Sequence, residues 1–127
     1  MAGPTLFDTG LQTLQKAIEL RQLRQQVIAG NVANADTPGY HPRRVDFEKE
    51  LQQAVRQSAG VRKTRARHLG PGGGPDKVTP EVHLEPDAVN VDQEMTRLAE
   101  NQILYEAAVQ ALNKKLGLLK YVAQGGR

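Results

Sequence analysis

The closing third of this chain repeats one pattern over nine positions: Met95, Leu98, Gln102, Tyr105, Val109, Leu112, Leu116, Leu119 and Ala123 follow alternating steps of three and four. Only Gln102 interrupts its apolar character. An α-helix turns once in 3.6 residues, so a 3.5-residue spacing draws a narrow stripe along one side and asks for other helices to cover it. A helix of about 30 residues is about 45 Å long. A chain of 127 residues with two Phe, three Tyr and no Trp has too thin a core to bury such a helix alone. Partner helices must supply the rest.

A weaker version of the pattern opens the chain. Leu11, Leu14, Ile18, Ile28, Val32 and Ala35 share one heptad frame, interrupted by Arg21 and Gln25. Leu20, Leu23 and Val27 form a second row displaced around the same helix, which lets it touch two neighbours. The expected fold is mainly α: long N- and C-terminal helices packed as a coiled-coil-like pair, with a short helix and an irregular, β-containing middle. The segments are 1–36, 37–89 and 90–127, divided by the turn after the first helix and by the cap of the last.

Residues 1–8 read as a short leader and 9–34 as the first long helix. Asn31, Asn34 and Asp36 are poor helix-interior residues, and Pro38 pushes Thr37 out of the helical region. Thr37-Pro38-Gly39-Tyr40 has Pro and Gly at the central positions of a type II turn. Val45 and Phe47 alternate with Arg44 and Asp46 as in a half-buried extended segment. A short helix capped by Asp46 would carry Phe47, Leu51, Ala54 and Val55 on one face and stop at Gly60. The run from Gly70 to Pro75 is a loop, with a little strand nearby at Val78, Val82 and Leu84. Asn90 and Gln93 have the spacing of a capping box for the last helix, which Gly125-Gly126 ends.

Several chemistries lack their residues. Without Cys there is no disulfide or thiolate metal site. His41, His68 and His83 are scattered, and none pairs with another ligand at helical spacing, so no metal is expected. The Gly-rich run lacks the Gly-Lys-Ser/Thr ending of a phosphate loop. No nucleophile elbow is present. Glu94, Glu100 and Glu106 recur every six residues and wind around the last helix. The reading is therefore of no enzyme, no catalytic residue and no cofactor. No apolar run approaches the roughly 20 residues that span a bilayer. The first dozen residues lack the basic start and apolar core of a secretory signal. The chain is expected to stay in the cytoplasm or to leave by a route that needs no such signal.

The net charge of +3 is unevenly spread. Arg56, Arg62, Lys63, Arg65, Arg67 and Lys77 precede an acidic stretch from Glu81 to Glu106, and Lys114, Lys115, Lys120 and Arg127 follow it. Blocks of alternating sign suit head-to-tail packing of copies, and they equally suit solvated faces. The run Arg62 to His68 could hold phosphates, but it lacks interleaved aromatics for stacking bases. A small basic nucleic-acid-binding protein is one alternative reading, and a soluble coiled-coil adaptor is another.

The run Asn31-Val32-Ala33-Asn34-Ala35-Asp36-Thr37-Pro38-Gly39-Tyr40 points away from both. Its two Asn lie on one helix face, where their amides can bridge a neighbour. The run closely resembles the Ala-Asn-x-x-Thr-Pro-Gly-Tyr signature of bacterial flagellar rod, hook and related axial proteins, here Ala33, Asn34, Thr37, Pro38, Gly39 and Tyr40 with Asn31 before them. Leu20-Arg21-Gln22, Val27-Ile28-Ala29, Val45-Asp46-Phe47, Arg67-His68-Leu69 and Pro86 to Asp92 extend the likeness over nearly the whole chain, closest to the proximal members of the basal-body rod family. Ala88 stands where that family more often has Gly.

The resemblance implies a structural rod subunit that polymerises through its terminal helices into the shaft around the export channel and transmits torque. It implies partners among other rod proteins, further copies of the same chain, the rod-base adaptor, the membrane ring and the export gate, with no nucleic acid and no membrane span. It also implies a periplasmic basal-body location reached through the flagellar type III apparatus without a cleaved signal. The helix-packing residues would be Leu11, Leu14, Ile18, Ile28, Val32, Met95, Leu98, Gln102, Tyr105, Val109, Leu112, Leu116 and Leu119.

Overall fold

The computed structural model describes residues 3–60 and 75–126. Helix α1 spans Gly3–Ala33, strand β1 Arg43–Asp46, helix α2 Glu48–Gly60, strand β2 Glu81–Leu84 and helix α3 Val91–Ala123, with a 3-10 turn at Pro75–Lys77. The fold is mainly α, and its backbone is the packing of α1 along α3. The basic run at 62–68 and the Gly-rich run at 70–74 lie outside the described residues.

Helix α1 starts six residues before the expected position, so residues 3–8 are helix rather than leader. Pro4 falls in its first turn, where a missing N–H has no partner to lose. Its other end is where the sequence places it. The Asn34 N–H donates to the Gly30 carbonyl at 3.0 Å and the Thr37 N–H to the Asn34 carbonyl at 3.0 Å. The Tyr40 N–H then closes on the Thr37 carbonyl at 3.2 Å, with Gly39 at φ 74°, a left-handed backbone that a Cβ would strain.

The chain next runs into a two-stranded antiparallel ribbon in which Val45 faces Val82 and Arg43 faces Leu84. Asp46 ends β1 opposite Glu81 with its carboxylate 3.2 Å from His83 Nδ1, so it belongs to the ribbon and Phe47 directly precedes α2. Phe47, Leu51 and Ala54 are buried with Leu20, Val45 and Val78, and Ala17, Leu23 and Val27 pack around them. The second row of α1 thus covers α2 and the ribbon. Val55 departs from the expected face: it sits 100° around the helix from Ala54 and is 46% exposed. Val82 and Leu84 also stay exposed, because α1 covers the ribbon only as far as Val45.

Helix α3 opens on Asn90, whose side chain accepts the Gln93 N–H at 3.2 Å and satisfies one orphan donor of the first turn. It ends at Ala123, followed by Gly125 and Gly126 at φ 73° and 79°.

Candidate functional site

The signature turn and the first turn of α3 meet at Asn31. Its side-chain amide donates to the Arg43 carbonyl at 2.9 Å and to Glu94 Oε2 at 3.1 Å. Its Oδ1 accepts the Tyr40 hydroxyl at 2.9 Å and the Arg43 N–H at 2.9 Å. Two donors and two lone pairs are all that an amide has, and each is used. One fully buried residue therefore ties α1, the turn, β1 and α3 together. Asn34 acts locally, donating to the Gly30 carbonyl at 2.8 Å and accepting the Thr37 hydroxyl at 3.1 Å. Ala33, Thr37, Pro38 and Gly39 are exposed; in this chain the bend they make returns the Tyr40 phenol to Asn31.

Glu94 is the second member of the node. It is fully buried, yet it accepts hydrogen bonds from both terminal nitrogens of Arg44, from Asn31, and from Arg97 at 3.4 Å. Arg44 also donates through Nε to Glu85 at 2.8 Å and through a terminal nitrogen to the Arg43 carbonyl at 3.1 Å. A buried carboxylate is tolerable only with such partners. In the sequence Glu94 is one of three acids that wind around α3, and nothing there pairs it with Arg44. The signal was its position, one residue before Met95 in the heptad frame.

The placement of the apolar stripe is equally specific. Glu94, Leu98, Asn101, Tyr105, Ala108, Leu112, Lys115 and Leu119 of α3, all buried or partly covered, follow the seam with α1, and Arg97 and Val109 beside it are partly covered too. Leu98, Tyr105, Leu112 and Leu119 belong to the sequence stripe. Met95, Gln102, Val109 and Leu116 form a row one residue further round, where Met95 is 49% and Leu116 47% exposed. On α1, Ile28 is buried, and Leu11, Leu14, Ile18 and Val32 are partly covered. Every second seam position on α3 is polar or small. Asn101 donates to the Arg21 carbonyl at 2.8 Å and to Gln25 at 3.0 Å. Lys115 lies across Gly10, where a Cβ would collide with its side chain. These contacts run α1 and α3 antiparallel.

A second charged cluster holds α2. Arg21 and Arg24 stack over the Phe47 ring at 5.1 and 4.1 Å and both donate to Glu48, Arg21 through both terminal nitrogens. Arg24 also donates to the Val45 carbonyl at 2.7 Å. Burial opposes the charge on Glu48, but hydrogen bonds from Arg21 and Arg24, together with their charges, outweigh it and hold its carboxyl below the ordinary 4.5. A depressed native value stabilises the fold above the unfolded value and loses that contribution as pH falls through the native one. The stability difference between wild type and Glu48→Gln should therefore shrink once pH drops below about 4.5. Thermal melts at stepped pH read it directly, and a difference constant down to pH 3 would remove the ion pair as its source.

Among the described residues no group of His, Asp and Glu is arranged to hold a metal ion, and no helix is long and apolar enough to cross a membrane. A cleft of about 360 Å³ between the helix pair and the ribbon is lined by Arg24, Arg44, Glu48, His83, Glu85 and Asn101 among others. Arg24, Arg44, Glu48 and Glu85 are already engaged with one another or with Glu94 there.

Known proteins resemble this chain over nearly its whole length. Residues 11–41 match the family described as flagella basal body rod protein, a span that runs from Leu11 through the signature turn. The chain is 34% identical to flagellar basal body rod protein FlgB of Bacillus subtilis, over 97% of this chain and 99% of that one. It is 33% identical to FlgB of Salmonella typhimurium and 32% to FlgB of Escherichia coli, each over 94% of this chain and 96% of the relative.

Proposed function

Because the chain belongs to the FlgB family of flagellar basal body rod proteins and is a structural subunit of that rod, we propose that α1 and α3 are the parts through which it joins the shaft. The segments 1–36 and 90–127 then form an inner layer around an export channel, and 37–89 an outer layer against neighbours along the shaft. Half-exposed Met95 and Leu116, beside a seam that is otherwise covered, carry this reading. Burying one such side chain is worth about 1.5 to 3 kcal/mol, and an assembly repeats the contact in every copy.

On this reading the partners are further copies, other rod proteins, the rod-base adaptor, the membrane ring and the export gate. The chain reaches the periplasmic rod through the flagellar type III apparatus, and its work is mechanical rather than catalytic. The adaptor and nucleic-acid readings find no support in the relatives.

The test is to delete the gene in its host and image isolated cell envelopes. A membrane ring without rod or hook is expected, with both restored by the intact gene. Complete flagella in the deletion strain would overturn the reading.

A further inference from the structure

The ribbon has two outer edges, and they are finished differently. The Glu85 N–H donates to the Pro42 carbonyl at 2.9 Å, and this bond sets the phase of the ladder. In an antiparallel pair, residues that exchange hydrogen bonds alternate with residues that turn those groups outward. Arg43 opposite Leu84 and Val45 opposite Val82 are the outward-turned pairs. On β1, three of the four outward groups are taken by α1: Asn31 bonds the N–H and the carbonyl of Arg43, and Arg24 bonds the Val45 carbonyl. On β2, the N–H and carbonyl groups of Val82 and Leu84 meet no partner among the described residues, and the whole strand is exposed.

The side chains beside this open edge are patterned too. Val82 and Leu84 lie on the face that Val45 turns to the core, yet they are 55% and 63% exposed. On the other face Arg44 reaches Glu85, and Asp46 lies 3.2 Å from His83 Nδ1. Both are diagonal pairs. They leave Glu81 directly opposite Asp46, with no ion-pair partner among the described residues. Like charges so placed destabilise a strand pair.

We propose that β2 is a docking edge for an extended segment of another protein, in which apolar side chains alternate with cationic ones. The proposal rests on the rod reading, in which 37–89 faces neighbours, and adds what a neighbour brings. The segment joins the ribbon as a third strand. Its residues opposite Val82 and Leu84 make the hydrogen bonds and set their side chains on the Val45 face, where apolar groups extend the core. The residues between them fall beside Glu81 and His83, where a cation supplies the partner that Glu81 lacks. Pro80 and Pro86 flank the strand and have no N–H, so the paired stretch is short. A free peptide should bind with a Kd of about 1 mM, and the contact gains strength where an assembly holds the segment beside its edge.

Nuclear magnetic resonance of the full chain reads the contact residue by residue. The probe is a capped peptide of alternating valine and lysine, which should shift the Val82 and Leu84 amides and slow their exchange with solvent. N-methylation of its valines, whose N–H groups face β2, should weaken binding at least about tenfold. The same number of methyl groups on its lysines, whose N–H groups face away, should leave binding intact. Leu84→Pro removes one outward N–H without breaking the ladder to β1, so it should match valine methylation. Val82→Pro is a second such variant, and circular dichroism identifies either one that loses helix. Glu81→Lys should turn the preference toward a valine–glutamate peptide. Equal binding of the two methylated isomers overturns the proposal. So does binding that leaves the β2 amides unmoved, or no binding at about 10 mM peptide, ten times the expected Kd. Protection of those amides by self-association without peptide would give the edge to a second copy and overturn it as well. None of these results changes the envelope phenotype of the deletion strain, so the rod reading stands or falls separately.

Discussion

Glu94→Leu is expected to lower the unfolding free energy by about 2 to 4 kcal/mol, because it takes the carboxylate from the terminal nitrogens of a mostly covered cation that keeps only Glu85 and a carbonyl as partners. Arg44 is 13% exposed at its side chain and spends both terminal nitrogens on Glu94. The Asn31 amide would lose an acceptor at the same time. Domains have only about 5 to 15 kcal/mol in total, so the variant should be substantially unfolded at 37 °C. Glu94→Gln keeps an acceptor and should lose less. The double variant Glu94→Leu with Arg44→Met removes both charges and should recover most of the loss. Urea denaturation of wild type, Glu94→Leu, Arg44→Met and the double variant closes the cycle. A Glu94→Leu loss under about 1 kcal/mol would show that the node is not coupled as its geometry requires.

Leu112→Asp is expected to abolish incorporation into rods while Arg65→Ala leaves it intact. Leu112 sits in the α1–α3 seam, partly covered and remote from the Glu94 node. A carboxylate there must either stay hydrated, prising the helices apart, or be buried without a partner at a cost of several kcal/mol. The middle segment keeps its own core around Phe47 and Leu51, so a soluble, partly folded chain should remain. Membrane rings without rods, in cells complemented with Leu112→Asp, are the readout. Normal rods would refute the seam. Loss of rods with Arg65→Ala would instead point to the basic run at 62–68.

The elements were legible because local chemistry and hydrophobic period agreed. Thr37-Pro38-Gly39-Tyr40 closes its turn, Asn90 caps α3, and the row Leu20, Leu23 and Val27 finds α2 and β1. What the sequence hid was the choice between two heptad frames one residue apart. Hydropathy favours Met95 and Leu116, which are exposed; the covered positions are instead Glu94, Asn101 and Lys115. Each of those three is rewarded by a particular partner far away in sequence: Arg44 and Asn31, the Arg21 carbonyl, and the bare backbone at Gly10. A periodicity argument sees side chains one at a time and has no means of finding such pairs. The missing Cβ of Gly10 and the side chain of Lys115 are one feature split between two ends of the chain.

The antiparallel layout has a mechanical consequence. The first turns of α1 lie at the same end of the layer as the last turns of α3, where Gly10 meets Lys115. Drawing the two ends of the chain apart acts across the layer rather than along it. The helices part like a zip, one turn at a time, and the load never falls on all the contacts at once. Opening starts at that end, and the Asn31–Glu94–Arg44 node, at the far end, gives way last. Pulled lengthwise from opposite ends, the same contacts would resist together. A subunit built this way is compliant to a tug on its own end and stiff to stress carried along its axis.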